Sequence, residues 1–193
     1  MTLRSSLFLL TVFGLSLIGN AQEAPTPVRV RAVLHDPVNP NAELFYTDKA
    51  GAVKRLDFRP RDFTEPLFML PLNGSLVLYD TAVIDPENLA ASMAASVILP
   101  PAVQRAVVVV LPSPPGGKTA YRIVLIDDSE KAFPFGESRA LSLINVETAI
   151  QAGEHKLRVH PGKITAVPSV RKVNDFNMAQ TNFYYQQDRK SVV

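Results

Sequence analysis

Ala106-Val107-Val108-Val109-Val110-Leu111 decides the fold. Branching at Cβ stiffens valine and suits it to the extended backbone better than to a helix. The run offers no polar face, so it reads as a short strand buried on both sides. Pro100-Pro101 before it and Pro112–Gly117 after it keep it short, because proline interrupts both helix and central ladder.

Upstream, Val28, Val30, Ala32 and Leu34 alternate with Arg29, Arg31 and Val33, the period of a half-buried strand. His35-Asp36-Pro37 ends it, and a turn over Pro37–Asn41 follows. Ala42–Thr47 and Ala52–Phe58 flank Asp48-Lys49-Ala50-Gly51 as a hairpin. Leu67–Leu72 and Ser75–Tyr79 meet at Asn73-Gly74, a type I′ turn signal, while Pro71 marks the first of the two as an edge strand. Asp85–Ala95 carries an N-cap residue, a proline at the first helical position and an alanine-rich body, which predicts a short helix. A strand over Met93–Leu99 competes for its second half.

Downstream, Ala120–Ile126 is a further apolar strand closed by Asp127–Lys131, and Phe133–Glu137 is a loop. Ser138–Val146, Lys156–Val159, Ile164–Val173 and Asn182–Val193 follow as strands. Roughly ten strands spaced by about 8–12 residues predict an all-β chain, an antiparallel β-sandwich with at most one short helix. Sixteen prolines against nine glycines agree with many short extended segments. Val28–Asp80 and Ser138–Asp175 share a strand–turn pattern without shared residues, so no repeat is assigned. Domain organisation is read as a signal peptide over 1–21, a Pro-rich tether over 22–27 and a single β-sandwich domain over 28–193. The final strand is either the last element or the end of a fragment.

The first 21 residues hold Arg4, the apolar run Leu7–Ile18 and the small-residue end Gly19-Asn20-Ala21, the three parts of an export signal in order. The apolar run is too short for a spanning helix, which needs about 20 such residues. Cleavage after Ala21 places the protein in the periplasm or outside the cell, with no membrane span afterwards. The chain has no cysteine, which excludes a lipidated N-terminal Cys and a disulfide scaffold and leaves apolar burial and sheet hydrogen bonds to hold the fold. Loss of Arg4 turns 20 basic and 18 acidic residues into 19 and 18. No clustered basic excess points to nucleic acid.

Candidate chemistry is sparse. A metal site would have to be built on His35, His155 and His160; their spacing matches no ligand motif, so neither a metal nor another cofactor is expected. Ser138 follows Gly136-Glu137 without the closing glycine of a nucleophile elbow. A hydrolase would use Ser138 with His155 and Asp127, or the adjacent pair Asp127/Asp128 with Glu130. Gly116-Gly117-Lys118-Thr119 has Pro112 where a phosphate loop needs glycine, and a strand follows it. Phe183, Tyr184 and Tyr185 are the best aromatic group for a sugar; Tyr184 and Tyr185 are the candidate binding residues. Alternation sets Phe183 and Tyr185 on one face and Tyr184 on the other.

Phe133-Pro134-Phe135-Gly136-Glu137-Ser138-Arg139-Ala140-Leu141-Ser142-Leu143-Ile144-Asn145, followed by Lys156–Lys163, resembles a group of uncharacterised exported β-rich proteins of environmental bacteria. The resemblance covers the central and C-terminal half and implies a Gram-negative-type envelope and a β-sandwich. The sequence therefore leads to a non-enzymatic envelope module that binds an envelope protein or a glycan, with exposed strand edges as its contact surface. A carbohydrate-binding module and a hydrolase are the alternatives.

Overall fold

The computed structural model describes residues 25–36, 39, 41–59 and 62–185. Residues 1–24, which include the expected signal peptide and the start of the expected tether, and residues 186–193, the end of the expected last strand, lie outside this set. The described chain is all-β, with thirteen strands and one 3₁₀ turn. Among the described residues no helix is long and apolar enough to cross a membrane.

The valine run forms β7, Arg105–Pro112. It lies between β1, Val28–Leu34, and β8, Tyr121–Asp127, in a four-stranded sheet whose other edge is β4, Leu67–Met69. Val108 faces Ala32 on one side and Leu125 on the other. The opposing sheet contains β3 (Val53–Arg55), β2 (Phe45–Thr47), β5 (Ser75–Tyr79) and β6 (Met93–Ile98), in that order. Alternate residues of the two sheets meet in one core: Val30 and Ala32, Val108 and Val110, Leu76 and Leu78. Val107 and Leu111, on the other face of β7, are buried as well, so this strand is covered on both faces as its sequence requires.

Two departures have clear causes. β1 and β7 pair in parallel, whereas every other strand pair among the described residues is antiparallel. The chain between them builds the opposing sheet and returns from the other layer, so β7 is not bound to hairpin geometry. The helix expected over Asp85–Ala95 is replaced by a 3₁₀ turn, Leu89–Ser92, running straight into β6. Asn88 makes no side-chain cap there, and the Asp85 carboxylate instead accepts the Glu87 N–H at 2.9 Å, a local turn. Buried Ala94 and Ala95 join the core, so burial overrides alanine's helix preference.

Turn chemistry holds where the sequence marked it. Asn73 and Gly74 have φ of 48° and 72°, and Leu72 and Ser75 exchange two backbone bonds of 2.9 Å. The hairpin is only that one pair long. Pro71 has no N–H to extend the ladder, and β4 leaves to pair with β1 while β5 pairs with β6. In the β2–β3 hairpin the Asp48 carboxylate accepts the N–H groups of Ala50 and Ala52, both at 2.9 Å. Gly51 takes a φ of 81° there.

Residues 138–185 form a second, smaller set of strands. A three-stranded sheet runs in the order β11 (His155–Val159), β10 (Thr148–Ala152), β13 (Thr181–Tyr185). It faces a two-stranded sheet of β12 (Ile164–Val167) and β9 (Ser138–Leu141). β9 and β12 are shorter than the sequence suggested; Pro168 follows the last residue of β12. The central strand β10 was not expected. Ile150, Ala152, Val159 and Val167 form a separate apolar cluster, and extensive strand-to-strand contacts fall within 28–127 or within 138–185.

Leu78→Ala is expected to lose about 2–5 kcal/mol in equilibrium denaturation, the cost of a buried leucine with its cavity. Ile98→Ala, on the exposed face of β6, should stay within about 0.5 kcal/mol. Equal effects would contradict the packing of the two four-stranded sheets.

Candidate binding cavity

The first core gathers fourteen buried residues and the second only four, and a hollow of about 770 Å³ opens at the end of the first, beside Val28, Leu72, Leu99 and Val103. A cavity of about 740 Å³ lies between the two sheets of residues 138–185. Ile150, Ala152, Val159, Val167, Val170 and Phe183 supply much of its apolar wall, and Ser138, Ser142, Thr148 and Thr181 add hydroxyls. Its rim residues Leu143 and Ile144 are exposed apolar side chains. A volume of this size suits an organic ligand or part of a polypeptide.

Local sequence fixes one wall. The Gly153-Glu154 turn between β10 and β11 holds the segment that leaves β12. Glu154 accepts the backbone N–H of Arg171 at 2.9 Å and of Lys172 at 3.1 Å. The His155 Nε2–H donates to the Ser169 carbonyl at 3.1 Å. A Cβ at Gly153, whose φ is 53°, would run into the Val170 side chain, so this glycine lets the cavity wall approach the turn. The bond from the Arg171 N–H, with further help from the Glu154 and Lys172 N–H groups and His155, holds the Glu154 carboxyl down at about 2.

The opposite rim is set by the Phe133–Arg139 stretch. The Arg139 guanidinium lies over the Phe133 ring, 4.7 Å from its centroid, bonds to Glu137 at 2.8 Å and donates to the Ala132 carbonyl. Pro134-Phe135-Gly136-Glu137 is a turn closed by the Glu137 N–H on the Pro134 carbonyl at 3.2 Å, with Gly136 at a φ of 85°. The turn delivers Ser138 to the start of β9.

The candidates from sequence are dispersed. Tyr184 and Tyr185 are both exposed, but pairing with Ala149 and Thr148 of β10 sends them to opposite faces. Phe183, opposite Ile150, lines the cavity; Tyr185 shares its face, beyond the lining. Ser138 lines the cavity, whereas His155 borders a separate hollow with Glu154 and Arg171. Asp127 and Asp128 are not among the lining residues of either hollow. Asp127 accepts the Ser129 N–H at 2.9 Å, and Asp128 bridges Arg31 at 3.2 Å and Arg105 at 3.5 Å. His160 meets Glu147 at 3.1 Å. Among the described residues no group of three or more His, Asp or Glu side chains converges as a metal site.

Val170 and Val173 of the cavity wall were not singled out from sequence. A signal for the unexpected β10 exists: Thr148-Ala149-Ile150-Gln151-Ala152 is a short run of β-compatible residues that ends at the turn glycine Gly153. The fold and the cavity define an all-β protein with a large apolar core and a small one that opens into a cavity. Comparison with protein-family models, with curated proteins and with solved structures returns no match.

Because the Glu154 pKa is lowered from 4.5 to about 2, its clamp contributes fully above about pH 4.5 and is lost as pH falls toward 2. In an NMR titration the Arg171 and Lys172 amides should shift with a midpoint near pH 2, and Glu154→Gln should abolish that step. A midpoint near 4.5 would contradict the clamp.

Proposed function

We propose that the chain is an exported, non-enzymatic binding module of the bacterial envelope, working in the periplasm or beyond, and that the open cavity of residues 138–185 is its contact site. The observation that carries this reading is the uncovered apolar surface at the cavity mouth. Phe183, Leu143 and Ile144 are exposed there, beside the buried lining residues Ile150, Ala152, Val159 and Val167. Burying a side chain of this size stabilises a contact by about 1.5–3 kcal/mol, so three in one patch amount to a binding surface rather than scattered exposure. Export is supported by the sequence of residues 1–21, which has the order of a cleavable signal.

The apolar wall favours an apolar partner over a sugar. Stacking a sugar ring needs a flat aromatic platform, and Tyr184 and Tyr185 face opposite ways.

Two measurements test the reading. Mass spectrometry of the protein from a bacterial envelope fraction should give an N-terminus at Gln22. The purified mature chain should enhance the fluorescence of anilinonaphthalene sulfonate, and Ile144→Glu should remove most of that enhancement without changing the circular dichroism. A retained Met1 would defeat the export part, and dye binding indifferent to Ile144→Glu would defeat the site.

A further inference from the structure

The second set of strands is built unevenly, with a sheet of three strands facing a sheet of two. The turn His160–Lys163 joins β11 directly to β12, and these two strands are in contact where the sheets meet. Counting from that side, β12 and β9 are used up before the three-stranded sheet ends. Burial across its inner face records this: Val159 of β11 is 2% exposed, Ile150 of β10 is 5% exposed and Phe183 of β13 is 66% exposed. The column of side chains at β13 lacks a cover.

β9 pairs with β12 and, among the described residues, with no other strand. Its second edge therefore leaves backbone N–H and C=O groups without a ladder. Natural edges are guarded by charge or proline. β9 contains no proline, and its one charge, Arg139, is turned to Phe133, Glu137 and the Ala132 carbonyl and to the Ser138 carbonyl at the very start of the strand, so the edge from Arg139 to Leu141 carries no charge held out to solvent.

Resting on the reading of this cavity as the contact site, we propose that its occupant is a β-strand. An extended segment of another polypeptide, apolar at alternate positions and acidic at its ends, adds to the free edge of β9 and lies over β13. An added strand sits about 4.7–4.9 Å beyond β9, in the place of the absent third strand. Its alternate side chains point toward Phe183 and fill the cavity, while its backbone completes the β9 ladder. An acyl chain would fill the cavity and leave the ladder unmade; a polypeptide meets both needs. Charge selects its ends. Residues 138–185 carry six lysines and arginines against three acidic residues, and Arg171 and Lys172, beside the lining residues Val170 and Val173, make no ion pair among the described residues.

The probe is a labelled peptide, Glu-Val-Thr-Val-Thr-Val-Glu, titrated into the mature chain and followed by fluorescence anisotropy, with amide exchange read at Ser138–Leu141. It should bind at least tenfold tighter than the same composition with its valines contiguous, and tighter than a version ending in lysine. It should slow exchange in β9, and Ile144→Glu should weaken it at least tenfold. Equal binding of the alternating and contiguous peptides, or protection elsewhere than β9, overturns the strand while dye binding keeps the cavity reading alive. Failure of dye and peptides together overturns the cavity reading itself. A chain ending at Tyr185 that alone gains peptide binding shows that the occupant is residues 186–193, and overturns a partner strand.

Discussion

With no cysteine in the chain, the two larger sheets are held together by taking apolar side chains out of water, and β7 is the strand buried on both of its faces. Its inward residues Ala106, Val108 and Val110 enter the shared core, and its outward Val107 and Leu111 are buried too. A strand buried on both faces must have neighbours on both edges, since an unpaired backbone group in such a place costs about as much as a lost hydrogen bond. β1 and β8 supply them. The parallel β1–β7 pair then forces the intervening chain across to the other layer, which is how the β3-β2-β5-β6 sheet comes to lie opposite.

The second set of strands works under the same rule with less material. Ile150, Ala152, Val159 and Val167 close one end of the small core, but the two-stranded side cannot reach β13. Clamping compensates in part. The Glu154 carboxylate and the His155 ring anchor the chain between β12 and β13, and the Arg139–Phe133 stack anchors the entry to β9. These polar contacts fix the chain at two points on the rim of a cavity that apolar packing alone leaves open.

Much of the larger sandwich was legible because its signals are local. The alternation from Val28 to Leu34, the valine run of β7 and the turns at Asn73-Gly74 and Gly51 each specify their own geometry. What could not be read is what depends on distant partners. Pro71 announced an edge, but not that β4 would change sheets to meet β1. Asp85–Ala95 looks helical until Ala94 and Ala95 are needed in the core. The cavity was illegible for a related reason: openness is a property of how many strands face one another, and nothing in Thr148–Ala152 or Thr181–Tyr185 states that count. Tyr184 and Tyr185 drew notice by residue type, whereas Phe183 matters by register, opposite Ile150.

The larger and the smaller core should differ in how readily they exchange amide hydrogens, since protection follows buried contacts and covered hydrogen bonds. Native-state hydrogen exchange, resolved by residue over the free protein, tests this most directly. Amides of β7 should open only with global unfolding, while those of β9 and β13 should exchange by local opening at far lower free energy, with β10 and β11 between. Protection of β9 and β13 equal to that of β7 would contradict an open second core.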